Sequence, residues 1–125
     1  MAITSAIFDS TVLAYKIVKQ TITNATPNID VTAESGNLHE ISLINGSTTN
    51  TWVKFTLTEN AVTVGTTVPQ IMLRINAGDS RRWSIPGGVA FTKLSFWAVT
   101  APTDANTTSP TLDNSVGVTV SVVTS

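Results

Sequence analysis

The 125 residues suit a single domain, residues 1–125, with a formal net charge of −1 and only 12% charged residues. Cysteine is absent, which excludes a disulfide framework and any thiolate nucleophile or metal ligand. A near-neutral charge argues against nucleic acid as a partner, because phosphate binding requires a basic field. No run approaches the ~20 apolar residues that a membrane span requires, so we expect no membrane insertion.

The amino-terminal segment, residues 1–12, mixes small and apolar residues. It lacks the basic stretch followed by an apolar run that marks a signal peptide, which predicts production in a cytoplasm. Ile3, Ile7 and Phe8 would make a poor exposed surface. We therefore expect this segment to be an arm that adds a strand to a neighbouring subunit.

Alternation of β-branched and polar residues dominates the rest of the chain and indicates half-buried strands. Gly, Pro, Asn and Asp divide it into about eight short pieces, and no stretch has convincing helical periodicity. In chain order the predicted strands cover residues 13–18, 29–31, 39–43, 52–57, 71–76, 81–85, 89–100 and 116–122. The pattern predicts an all-β fold, an antiparallel β-sandwich or jelly roll.

Two interruptions and two long connections punctuate the strands. Asn45-Gly46-Ser47 predicts a tight turn, and Pro86-Gly87-Gly88 predicts that the strand ladder stops there. Residues 58–69 and 100–115 are polar and long for connections within a compact domain. We expect them to be either functional loops or disordered segments.

Residues that could perform chemistry are few. The single histidine, His39, could be a general base or a metal ligand, and it falls on the predicted face of Ile41 and Leu43. No HxH or HExxH spacing accompanies it, so a partly buried, hydrogen-bonded histidine near a strand end is the simpler interpretation. The carboxylates are scattered, mostly in predicted turns where they bond their own backbone, although a glycosidase pair could still assemble in three dimensions. We expect no enzyme activity, metal or cofactor.

One candidate partner surface surrounds Trp52. If Val53, Phe55 and Leu57 face the core, Trp52 and Lys54 lie on the outer face of the same strand. An outward tryptophan on a sheet predicts a covered surface. The cover would be a partner subunit or the amino-terminal segment of the chain itself.

The second candidate surface is the cluster Arg81-Arg82-Trp83. Strand alternation points Arg82 away from Arg81 and Trp83, and Arg and Trp are frequent interface anchors. The other interpretation is a solvated arginine with the tryptophan in the core. A sugar-binding site would instead place Trp83 flat under a pyranose ring.

Several short elements after the asparagine turn occur in a recognisable order. They are Trp52-Val53-Lys54, Thr63-Val64-Gly65-Thr66 followed by Pro69, Ile71-Met72-Leu73-Arg74-Ile75 followed by Ala77-Gly78, Gly88-Val89-Ala90-Phe91, Ala98-Val99-Thr100, and a loop with Asp104 and Asn106. In this arrangement residues 45–123 resemble small virion proteins of tailed bacteriophages, especially marine and cyanobacterial phages. The resemblance implies a β-sandwich decoration, cement or tail-associated subunit without a catalytic motif. The last strand departs from the family by lacking a terminal aromatic residue.

The sequence and the resemblance together predict a capsid decoration or cement protein, made in the host cytoplasm and carried on the virion exterior. Its expected partners are the major capsid protein and further copies of itself, with a trimer suggested by analogy. A tail, baseplate or fibre component is the second hypothesis, and a carbohydrate-binding module is the third. The candidate partner interface comprises Ile3, Ile7, Phe8, Trp52, Lys54, Arg81, Arg82 and Trp83.

Overall fold

The computed structural model describes residues 15–59 and 61–125, and this part of the chain consists of seven strands without a helix. The strands are β1 (Lys16–Ile22), β2 (Gly36–Asn45), β3 (Thr51–Thr56), β4 (Ile71–Ile75), β5 (Ser80–Phe91), β6 (Ser95–Val99) and β7 (Val118–Thr124). One sheet has the order β1-β7-β2-β5 and the other has the order β4-β3-β6. All pairings are antiparallel, which confirms the predicted all-β sandwich.

The core lies between the two sheets and is built from alternate residues of each strand. Val118, Val120 and Val122 of β7 are fully buried, as their alternation with polar residues predicts. From the opposite sheet, Val53 and Phe55 of β3 enter the same apolar cluster. Burial of one face from each sheet thus supplies the main driving force for the fold.

The described part of the chain forms seven strands where about eight were predicted, because residues 29–31 are not a strand. The chain makes only an isolated bridge there, between Asn28 and Phe96. Asp30 then turns with a φ of 50°, a conformation that a strand does not allow. The segment crosses to the other sheet instead of joining a ladder.

The long strand predicted over residues 89–100 is two strands in the structure. β5 ends at Phe91 and β6 begins at Ser95. Between them, the backbone N–H groups of Thr92 and Lys93 both donate to the carbonyl oxygen of Leu57. These bonds draw the chain from one sheet to the other.

The ladder break predicted at Pro86-Gly87-Gly88 is present as a bulge within β5. Leu38 pairs with Val89 and Glu40 pairs with Ser84, so four residues of β5 lie opposite a single residue of β2. Gly87 and Gly88 have φ values of 78° and 75°, which glycine tolerates best. The strand pairing resumes beyond the bulge.

Candidate functional site

The two outer faces of the sandwich differ in what lies over them. On the three-stranded sheet, Trp97 of β6 pairs with Lys54 of β3, and Val99 pairs with Trp52. We call these four residues the covered face, because Trp97, Val99 and Lys54 have relative exposures of 1%, 0% and 0%. On the outer side of this sheet, β6 and the Lys54 position of β3 are therefore buried, whereas Met72 and Arg74 of β4 are exposed.

The chain itself provides the cover. Val62 and Val64 from the segment 58–69 pack with Trp97 and Val99, together with Ala25. The segment 100–115 lies against the same region, since a Cβ placed on Gly65 would come within 2.6 Å of Thr107 Cγ2. The described residues of the two long polar connections thus form a layer over the outer side of β6.

Lys54 is the polar centre of the covered face. Its Nζ donates a hydrogen bond of 2.8 Å to the carbonyl oxygen of Thr103, beneath the segment 100–115. Desolvation lowers the pKa of Lys54 below its ordinary value, and the nearby Asp104 carboxylate partly opposes this. The Lys54 side chain has no exposed surface in the described chain, because the segment around Thr103 encloses it.

Trp52 lies on the outer face, as its alternation with Val53 predicts, and is half-buried. The guanidinium carbon of Arg74 on β4 lies 5.3 Å from the centroid of its ring, a cation–π distance. Among the described residues, the cover over this tryptophan is therefore an arginine of the neighbouring strand. This contact within the chain accounts for the partial burial of Trp52 without a partner subunit.

The outer face of the four-stranded sheet presents exposed or half-buried side chains in three rows. We call it the open face. From β1 to β5 the rows are Ile17–Val123–Glu40–Ser84, Lys19–Ser121–Ser42–Arg82 and Thr21–Thr119–Ile44–Ser80. Ile17 and Ile44 are large apolar side chains with relative exposures of 76% and 55%. The face combines hydroxyl groups, two exposed apolar residues and few charges.

Arg82 lies on the open face, where its Nε approaches Glu40 Oε1 at 2.7 Å. Arg81 points to the other side of β5 and pairs with Asp79 at 3.4 Å. Trp83 is half-buried and packs against the core. The predicted alternation is confirmed, and Arg82 is the member of the cluster that belongs to the open face.

His39 occupies the β-bulge of β2 and is not on the face of Ile41 and Leu43. The register shift between Leu38 and Glu40 buries Leu38, Ile41 and Leu43 and leaves His39 half-buried. Its Nε2 lies 2.8 Å from Ser125 Oγ, a hydrogen-bonding distance. His39 is itself the extra residue of β2, because Leu38 and Glu40 pair with the consecutive residues Thr124 and Val123 of β7. The sequence pattern does not reveal such an insertion.

No group of three or more metal-binding side chains occurs within residues 15–59 and 61–125. That same part of the chain contains no helix able to span a membrane. The predicted interface residues Ile3, Ile7 and Phe8 lie outside the described residues.

Sequence reasoning missed Trp97 and Ile44. Trp97 sits in a nearly continuous apolar run, residues 94–99, and such runs indicate a strand buried on both faces. Ile44 follows Leu43 directly, so two apolar neighbours on β2 must point to opposite sides. Both signals were present in the printed sequence.

Comparisons with known proteins add little to this geometry. No protein-family model matches the sequence, and no curated protein matches it. A solved structure described as "Bacillus endospore appendages form a novel family of disulfide-linked pili" aligns with 13% identity and a TM-score of 0.40, covering 89% of this chain and 84% of that one. The coat protein of Tobacco streak virus aligns with 7% identity and a TM-score of 0.34, covering 89% and 86%. Likenesses at this level carry no argument about function.

Proposed function

We propose that this chain is a structural virion subunit of a tailed bacteriophage, carried on the capsid exterior as a decoration or cement protein. The major capsid protein shell is its partner, and the open face is the surface that docks on it. Residues 45–123 supply the resemblance to phage virion proteins, and the low charge of the whole sequence agrees with a surface that is covered in use. The protein has no catalytic task in this proposal.

The observation that carries the proposal is the presence of two exposed isoleucines, Ile17 and Ile44, on an otherwise hydroxyl-rich sheet face. Desolvating Ser and Thr side chains costs less free energy than desolvating ions, and two exposed isoleucines supply apolar contact area. Arg82 is paired with Glu40, so docking would not isolate its charge. Lys19 is the charged side chain of this face that forms no ion pair within the described residues. The face is thus suited to a broad, weakly charged partner surface.

The test is co-sedimentation of the purified chain with empty shells of the major capsid protein encoded in the same genome. We expect the wild type to sediment with the shells and Ile44→Asp to bind about tenfold more weakly, which corresponds to about 1.4 kcal/mol. Val68→Asp is the matched control, because Val68 is 64% exposed on the segment 58–69, away from the open face. Wild-type protein that stays in the supernatant, or equal losses for both variants, would contradict the proposal.

Copy number in purified particles separates capsid from tail placement. A number comparable with that of the major capsid protein supports decoration, whereas a small fraction of it would move the proposal to a tail, baseplate or fibre. Retention on a glycan array that Trp83→Ala abolishes would instead support a carbohydrate-binding module.

A further inference from the structure

Strand β1 forms one edge of the four-stranded sheet. Within the described residues it pairs with β7 alone, and its other edge pairs with no described strand. Six of its seven residues are exposed or half-buried, and only Ile22 is buried. A sheet edge of this kind offers a ladder of backbone groups on which another strand can add.

The charge of β1 restricts what can add to it. The strand carries Lys16 and Lys19 and no carboxylate. Lys16 forms an ion pair with Glu34, but Lys19 forms none within the described part of the chain. Like charges placed opposite each other on neighbouring strands are destabilising, so the strand that fits beside Lys19 carries an acid.

Residues 1–14 of the same sequence meet this requirement. Their only charged side chain is Asp9, and the flanking residues Ile7, Phe8, Ser10 and Thr11 have strand-forming character or small size. If Asp9 lies opposite Lys19, Ile7 and Thr11 fall on the open face, because alternate residues share a face in either strand direction. Phe8 and Ser10 then fall on the core side.

The turn chemistry favours a segment from another copy over the chain's own segment. A tight hairpin that folds back onto β1 needs its turn directly before the strand. Residues 10–15, Ser-Thr-Val-Leu-Ala-Tyr, contain no Gly, Asn, Asp or Pro. Hairpin turns of types I′ and II′ require positive φ angles, which β-branched residues such as Thr11 and Val12 resist.

We propose that residues 1–14 of a second copy of this chain add a strand to the edge of β1, with the second copy's Asp9 beside Lys19. The occupant of this edge is therefore the protein itself. Because the addition needs no virion, it goes beyond the proposed function and can fail or succeed independently of it. Each copy donates one segment and accepts another, which generates either a closed ring or a reciprocal dimer.

The sequence contains no cysteine, so any disulfide must join the introduced residues. Full-length chains carrying Asp9→Cys or Lys19→Cys, each with a tag of different mass, are co-expressed, oxidised and separated without reductant. We expect a disulfide-linked heterodimer as the main cross-linked species. The matched control is Gln20→Cys, which is also exposed on β1 but points to the opposite face, and we expect severalfold less cross-linking to Asp9→Cys.

A single chain carrying both cysteines distinguishes the two possible donors. Cross-linked dimers or larger species support the proposal, whereas an internally cross-linked monomer would show that the chain covers its own edge and would overturn it. Equal cross-linking of Lys19→Cys and Gln20→Cys would also overturn it.

Charge reversal tests the proposed ion pair between Asp9 and Lys19, because reversing both charges preserves the attraction. We expect Lys19→Glu to weaken self-association severalfold in sedimentation equilibrium, and Asp9→Lys combined with Lys19→Glu to restore it. A wild-type chain that remains monomeric at all concentrations, or a double variant without rescue, would refute the inference. Far-UV circular dichroism confirms that each variant retains its β structure.

Discussion

The covered face and the open face are the two outer faces of the same sandwich, but they differ in how strongly their side chains are buried. On the three-stranded sheet, all five residues of β6 are buried, so the strand has apolar or small residues on both sides. On the four-stranded sheet, β2 and β7 alternate between buried and more accessible positions. Among the described residues, a loop layer covers the outer side of β6 and part of β3, whereas none covers the outer side of the four-stranded sheet.

The difference teaches where a partner can act. The chain uses its two long connections, 58–69 and 100–115, to cover Trp97 and Lys54, while Arg74 lies over Trp52. Within residues 15–59 and 61–125, no segment covers the open face, whose exposed apolar residues Ile17 and Ile44 lie far apart in different rows. The outward tryptophans thus make intramolecular contacts, while the described residues leave the more polar outer face exposed.

The largest expected effect is at Trp97. Replacing Trp97 with alanine removes the largest fully buried side chain among the described residues. It also removes the contacts of Trp97 with Val62 in the loop layer and with Val99 on β6. We expect Trp97→Ala to lower the free energy of unfolding by about 3–5 kcal/mol. Urea denaturation followed by circular dichroism measures the change.

Phe96→Ala is the matched comparison, because Phe96 is the neighbour of Trp97 on the other side of β6 and contacts Phe55 in the central core. If the covered face is a true second core, both variants lose stability by similar amounts. A loss below about 1 kcal/mol for Trp97→Ala would mean that the loop layer contributes little to folding.

The sandwich itself follows from sequence alternation, and so do most of its strands. The alternation of Val118, Val120 and Val122 with smaller polar residues predicts β7 and its buried side correctly. The same logic identifies the outward side of Trp52. Period-two patterns are reliable here because each strand has at least one face in the core.

The remaining features depend on contacts that no local pattern records. The position of His39 follows from a bulge at that residue, which has no partner on β7 and lies opposite four residues of β5. The burial of Lys54 follows from the segment around Thr103, which covers a side chain that would otherwise reach water. Alternation specifies a side of a strand, but not what lies over that side.

The next effect concerns the polar centre of the covered face. Lys54→Met keeps the length of the side chain and removes the buried ammonium group, while Thr103 is exposed enough for water to replace the lost donor. We expect the variant to be about 1 kcal/mol more stable than the wild type at neutral pH. Equilibrium denaturation across a pH series measures the difference.

The pH dependence has a defined sign. Desolvation lowers the folded-state pKa of Lys54 below the ordinary value of 10.5, so the unfolded chain binds the proton more tightly. The wild type therefore gains stability as the pH rises from the folded-state pKa towards 10.5, and Lys54→Met lacks this gain. Curves that stay parallel throughout the alkaline range would show that Lys54 is not desolvated in the folded protein.

The smallest effect on folding is expected on the open face. Leu43 and Ile44 are neighbours on β2, with relative exposures of 0% and 55%. Leu43→Ala opens a cavity in the core and should lower the free energy of unfolding by about 2–5 kcal/mol. Ile44→Ala leaves a gap only towards solvent and should change it by less than about 0.5 kcal/mol. Denaturation of the isolated chain at low concentration compares the two variants directly.

A loss of unfolding free energy above about 1 kcal/mol for Ile44→Ala would show that this face is already covered in the isolated chain, because only a covered side chain loses that much on truncation. The cost would then depend on protein concentration if a second copy provides the cover, and would be independent of it if the chain covers itself.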